Sequence, residues 1–137
     1  MATSMVTGGT SGIGREFVTQ LAARGDDIVI VARDTERMAA IKDDAEARYG
    51  VSVETIAADL SCREDVDRIA TRVEDPNHPI DLLVNNAGFA VHAKILDTDT
   101  LELQDRAFEV MMRAVLVLSA AAGRAMKARG HEIGKHT

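Results

Sequence analysis

The sequence predicts an α/β fold built on a parallel sheet with helices on both faces, and three observations carry that prediction. Short β-branched apolar runs alternate strictly with amphipathic stretches of helical period, in the order β-α-β-α-β-α-β-α. The run Ile28-Val29-Ile30-Val31-Ala32 is apolar without interruption, as expected for a parallel strand covered on both faces. A glycine cluster, Gly8, Gly9, Gly12 and Gly14, stands where the first run gives way to the first helical stretch. Crossovers in such a sheet are right-handed.

Residues 2–6 form a short β-capable run that empties into the glycine cluster. Ile13, Phe17 and Leu21, with Val18 and Ala22 beside them, place an apolar stripe on a first helix ending near Arg24-Gly25, where Gly25 can cap it. After the second strand, Asp34 can cap a helix in which Met38, Ile41, Ala45 and Tyr49 share a face, and Gly50 stops it. A third strand is expected over residues 51–57. Ser61 and Glu64 have the spacing of a capping box, ahead of a helix lined by Val66, Ile69, Ala70 and Val73 and closed by Pro76 and Pro79. A fourth strand over residues 80–84 runs into Asn85-Asn86-Ala87-Gly88. A long helix over residues 98–129 follows, with Phe108, Met111, Val115, Leu118 and Ala122 on one stripe and Gly130 as its stop.

At 137 residues the chain fits one domain, and a globule of this size buries roughly two-thirds of the surface its unfolded chain exposes. With 46% hydrophobic and 28% charged residues it is neither low-complexity nor mostly disordered. The net charge of -6, scattered along helices with no basic stripe, argues against nucleic acid or an anionic membrane as partner. A single cysteine, Cys62, excludes an intrachain disulfide, favours a reducing compartment and reads as a helix-start residue. No segment approaches the ~18 apolar residues a bilayer demands, and the N-terminus has no leader pattern, so a cytoplasmic protein is expected.

The chemistry gathers at the carboxyl ends of the expected strands, where open α/β sheets bind ligands. Thr7-Gly8-Gly9-Thr10-Ser11-Gly12-Ile13-Gly14 spans a strand-to-helix turn in which glycines let backbone approach a pyrophosphate. Its spacing differs from G-x-G-x-x-G and resembles the T-G-x-x-x-G-I-G signature of the short-chain dehydrogenase/reductase family. Asn85-Asn86-Ala87-Gly88 resembles that family's N-N-A-G motif, and Asp59-Leu60, after the third strand, its adenine-edge contact. The resemblance covers residues 2–130 and about half the family's usual length. It implies a Rossmann-type half-fold over residues 1–130, ending after about four strands and the long helix, with an irregular tail over 131–137. It also implies a cofactor half-site of Gly8, Ser11, Gly12, Ile13, Gly14, Arg33, Asp59, Leu60, Asn86, Ala87 and Gly88. NAD-preferring members place an Asp where this chain has Ala32. Arg33 beside it can grip a 2′-phosphate in bidentate fashion, so NADP is the expected cofactor over NAD.

The family's catalytic trio of Ser, Tyr and Lys finds no match, and no catalytic residue is assigned. The only tyrosine, Tyr49, is followed by Gly50-Val51-Ser52-Val53 and reads as core-facing. Met111 takes the place of an Asn that many members use in a proton relay, and reads as a gap-filling core residue. The trio His131, Glu132 and His136 has the wrong spacing for a helical zinc site, no metal is expected, and His78 and His92 read as surface residues without acidic partners. The resemblance thus implies an oxidoreductase acting between a carbonyl and an alcohol of unknown identity, in a chain inactive by itself. The alternatives are an inactive dinucleotide-binding module and a remnant of a disrupted frame. An uncovered fourth strand would leave an open β-edge, so self-association is expected.

Overall fold

The computed structural model describes residues 2–10, 12–88 and 101–130. Four strands, β1 (Thr3–Thr7), β2 (Asp27–Ala32), β3 (Val53–Ala57) and β4 (Leu82–Asn85), lie parallel in the order β3-β2-β1-β4. Helices α1 (Gly12–Ala23), α2 (Thr35–Tyr49) and α3 (Arg63–Val73) connect them. Beyond β4 come α4 (Leu101–Phe108), a π-helical turn (Glu109–Arg113) and α5 (Ala114–Ala128).

Strand alternation divides the interior into two cores. Met5, Val29 and Val31 face one side, where α3 and α5 supply Ile69, Val73 and Leu118. Val6, Ile28 and Ile30 face the other, against Val18 and Leu21 of α1 and Met38 of α2. Both faces of β1 and β2 are therefore buried, which is why their sequences lack polar alternation. Each fully buried side chain of this kind contributes roughly 1.5–3 kcal/mol relative to exposure. At the edge, β3 leaves Glu54 and Thr55 exposed.

The second helix forms as its caps dictate. The Asp34 carboxylate accepts the Arg37 N–H at 3.0 Å, and Gly50 takes the left-handed φ of 69° while donating to the Glu46 carbonyl. Tyr49 packs partly buried against the core of α1 and α2.

Other elements depart from expectation for identifiable reasons. β3 starts at Val53 rather than Val51, because Ser52 N–H bonds the Asp27 side chain at 2.9 Å and only its carbonyl joins the neighbouring backbone. β4 begins two residues later than residue 80. Asp81 ties to Thr3 through its N–H and its carboxylate, while the Ile80 carbonyl accepts from Arg129. The capping box of Ser61 and Glu64 does not form. Cys62 is the N-cap of α3 and makes no side-chain cap bond; the Ser61 hydroxyl instead donates to Asp59 at 2.6 Å, and Asp65 reaches back to the Asp59 N–H at 2.8 Å.

The expected apolar stripes on the flanking helices turn inward at Val18, Leu21 and Ala22 and at Leu118 and Ala122, but not along their whole length. On α1 the buried residues are Gly14, Val18, Leu21 and Ala22, while Ile13 and Phe17 are exposed. On the long helix the buried line is Val110, Ala114, Leu118, Ala121 and Ala122, whereas Phe108 and Met111 stand exposed. The π-turn accounts for the latter: its extra residue per turn shifts the inward position from Met111 to Val110, which a constant period of 3.6 misses. Met111 therefore fills no core gap. The start of this helix expected at residue 98 lies outside the described residues.

Candidate functional site

Because all four strands run the same way, their carboxyl ends open on one side of the sheet. A cleft of about 510 Å³ lies there, of the size that holds small organic ligands. Its lining includes Gly8, Arg33, Asp59, Leu60, Asn86, Ala87 and Gly88. Gly12, Ile13 and Gly14 do not line it, and Ser11 lies outside the described residues.

Gly14 acts behind the cleft wall. A Cβ built there would stand 2.0 Å from the Gly8 carbonyl oxygen and 2.4 Å from the Asn86 side-chain nitrogen. A Cβ on Gly8, whose φ is 68°, would stand 2.8 Å from the Ala87 Cα. The two glycines let the loop after β1 seat directly on the turn after β4. Polar bonds hold the seat: Asn86 Nδ2 donates to the Gly8 carbonyl at 3.2 Å, and the buried Thr7 hydroxyl accepts the N–H groups of Asn86 and Ala87 at 3.0 and 3.1 Å. Asn85 faces away and donates to the Ser119 hydroxyl at 3.1 Å.

The opposite wall is charged. Asp59 accepts both the N–H and the hydroxyl of Ser61, which hold its carboxyl below the usual carboxylate range, with Arg33 and Arg106 adding to the effect. Arg106 stands 3.6 Å from Asp59, bringing α4 to the rim. Arg33 lines the cleft, exposed, and among the described residues it makes no hydrogen bond or ion pair. Such a site presents backbone at one end, an unpaired guanidinium at the side and a fixed carboxylate opposite.

The lining also includes Thr10, Ala32, Asp34, Ala58 and Val110, none of which had been singled out as a binding residue. Val110 was hidden because its inward direction depends on the π-turn. Tyr49 does not line the cleft. Cys62 is half-buried. His78 is a surface residue as expected, yet it does have an acidic partner, Asp75, at 3.0 Å. Among the described residues no group of three His, Cys, Asp or Glu could hold a metal, and no helix is long and apolar enough to cross a membrane. His92 and residues 131–137 lie outside the described residues.

Known proteins share this fold. The short-chain dehydrogenase from Sphingobium yanoikuyae in complex with NADPH superposes with a TM-score of 0.90 at 32% identity, covering 96% of this chain and 50% of that one. A metagenomic short-chain oxidoreductase in complex with NADP gives 0.85 at 32% identity, covering 95% and 58%. Among curated proteins, the human L-xylulose reductase is 37% identical over 126 residues, 92% of this chain and 48% of the relative. The very-long-chain 3-oxoacyl-CoA reductase of Meyerozyma guilliermondii is 34% identical over 106 residues, 74% of this chain and 30% of the relative. The chain thus spans about a third to a half of the length of such relatives. The short chain dehydrogenase family model matches residues 2–134, and the chain belongs to that family.

Proposed function

We propose that the chain forms the dinucleotide half-site of an oxidoreductase that prefers NADP(H) and acts between a carbonyl and an alcohol. The observation that carries this reading is the cleft itself: the glycine loop, seated on Asn86 and Ala87, faces an unpaired Arg33. Gly8 and Thr10 would meet the phosphates, Asp59 and Leu60 the adenine, and Ala87 and Gly88 the ribose beyond β4. Arg33, beside the uncharged Ala32, suits a 2′-phosphate, and the NADPH and NADP complexes of two relatives support the same preference. When bound, a nicotinamide dinucleotide supplies or accepts hydride.

We infer also that these 137 residues bind without turning over substrate. The support is Tyr49, the chain's single tyrosine, which packs partly buried against the core of α1 and α2 and does not line the cleft. Titration with NADPH and with NADH, followed by heat or nicotinamide fluorescence, tests the site. Saturable binding tighter for NADPH is expected, weakened about tenfold or more in Arg33→Ala, the scale of a lost charge-assisted contact. A folded chain that binds neither nucleotide overturns the reading.

A further inference from the structure

The sheet ends on one side in β3, whose backbone bonds β2 at every second residue. The Ser52 carbonyl accepts the Ile28 N–H and the Ala58 N–H donates to the Ala32 carbonyl, both at 3.0 Å, so the even-numbered residues face β2. Val53, Thr55 and Ala57 therefore turn their N–H and C=O groups outward, to the side where a further strand would add.

Side chains already occupy that row. Glu46 Oε2 accepts the Val53 N–H at 3.0 Å, and Lys42 Nζ donates to the Val53 carbonyl at 2.8 Å. At the other end, Arg68 Nη2 donates to the Ala57 carbonyl at 2.9 Å. Among the described residues, only the Thr55 groups and the Ala57 N–H lack such a partner. Lys42 and Glu46 stand one turn apart on α2 with the lysine first, the weaker order for a helical ion pair, and their charged atoms are 3.8 Å apart. Glu46 also lies in the last turn of α2, where the helix dipole disfavours an acid. The helix alone gives no reason for this pair, and the strand edge supplies one.

We propose that Lys42 and Glu46 of α2, with Arg68 of α3, form a strap that seals the outer edge of β3 against a strand from a second copy of this chain. An added strand bonds successive outward residues, and the strap leaves it a full rung only at Thr55. Strand pairs hold over several rungs, not one. The sequence under the strap, Val53-Glu54-Thr55-Ile56-Ala57, is rich in β-branched residues and suited to pairing once its edge is free.

The whole chain carrying Lys42→Ala and Glu46→Ala tests the strap by sedimentation velocity and by amide exchange at Thr55. Alanine keeps α2 helical, which circular dichroism checks. At matched concentrations the double variant is expected to sediment faster than the parent, with Thr55 exchange that slows as concentration rises. Thr55→Pro added to it is expected to return the coefficient to the parent's, because proline removes the outward N–H. Thr55 exchange independent of concentration in the double variant overturns the inference, whether or not it sediments faster: the contacts then only satisfy the Val53 backbone, or the association lies elsewhere. A parent chain whose Thr55 exchange already slows with concentration overturns it as well, since its β3 edge is then open.

Discussion

Three side groups decide whether the site can form, and one of them is a hydrogen atom. Gly14 faces the Gly8 carbonyl and the Asn86 amide so closely that the smallest side chain has no room. Two of the three nearest atoms are backbone, so relief requires moving the loop after β1 and not merely a rotamer. Gly14→Ala is expected to lower stability by about 1–3 kcal/mol in urea unfolding and to abolish dinucleotide binding at nucleotide concentrations that saturate the parent chain. An alanine variant with unchanged unfolding midpoint and affinity would show that the loop does not rest on Asn86. Thr7 completes the junction from below, its hydroxyl accepting the N–H groups of the partly buried Asn86 and Ala87.

At the scale of elements, the first turn of α2, which follows the cleft-lining Arg33 and Asp34, depends on the Asp34 cap. The carboxylate accepts the Arg37 N–H and lies near the Arg37 guanidinium. Asp34→Ala is expected to cost about 1 kcal/mol through the lost cap, seen as a lower urea midpoint. The π-turn has a comparable role on the other side. It lets Val110 line the cleft and Glu109 pair with Arg63 at 3.0 Å, joining the last helix to α3.

The whole molecule has an asymmetry that the elements do not show singly. β1 and β2 are flanked by strands on both sides, but β4 pairs only with β1 among the described residues. On the last helices, Phe108, Met111, Met112 and Leu116 leave apolar side chains exposed. Unpaired strand edges and contiguous apolar surface favour association. The 137-residue chain is expected to sediment with a coefficient that rises with concentration. One monomer boundary at all concentrations would contradict this.

The sequence by itself determined the alternation of strands and helices, the covered central strands, the caps of α2 and the family, because each is written in local periodicity or in a contiguous motif. Gly8, Arg33, Asp59, Leu60, Asn86, Ala87 and Gly88 were legible as neighbours for the same reason: each follows the end of a parallel strand, and those ends converge. Only the tertiary structure decided which face of α1 and of the last helix turns inward, since Ile13, Phe17, Phe108 and Met111 are as apolar as the residues buried beside them. It also decided that Gly14 serves the contact between loop and turn. Those relations join residues distant in the chain, and no local pattern encodes a distance across the sheet.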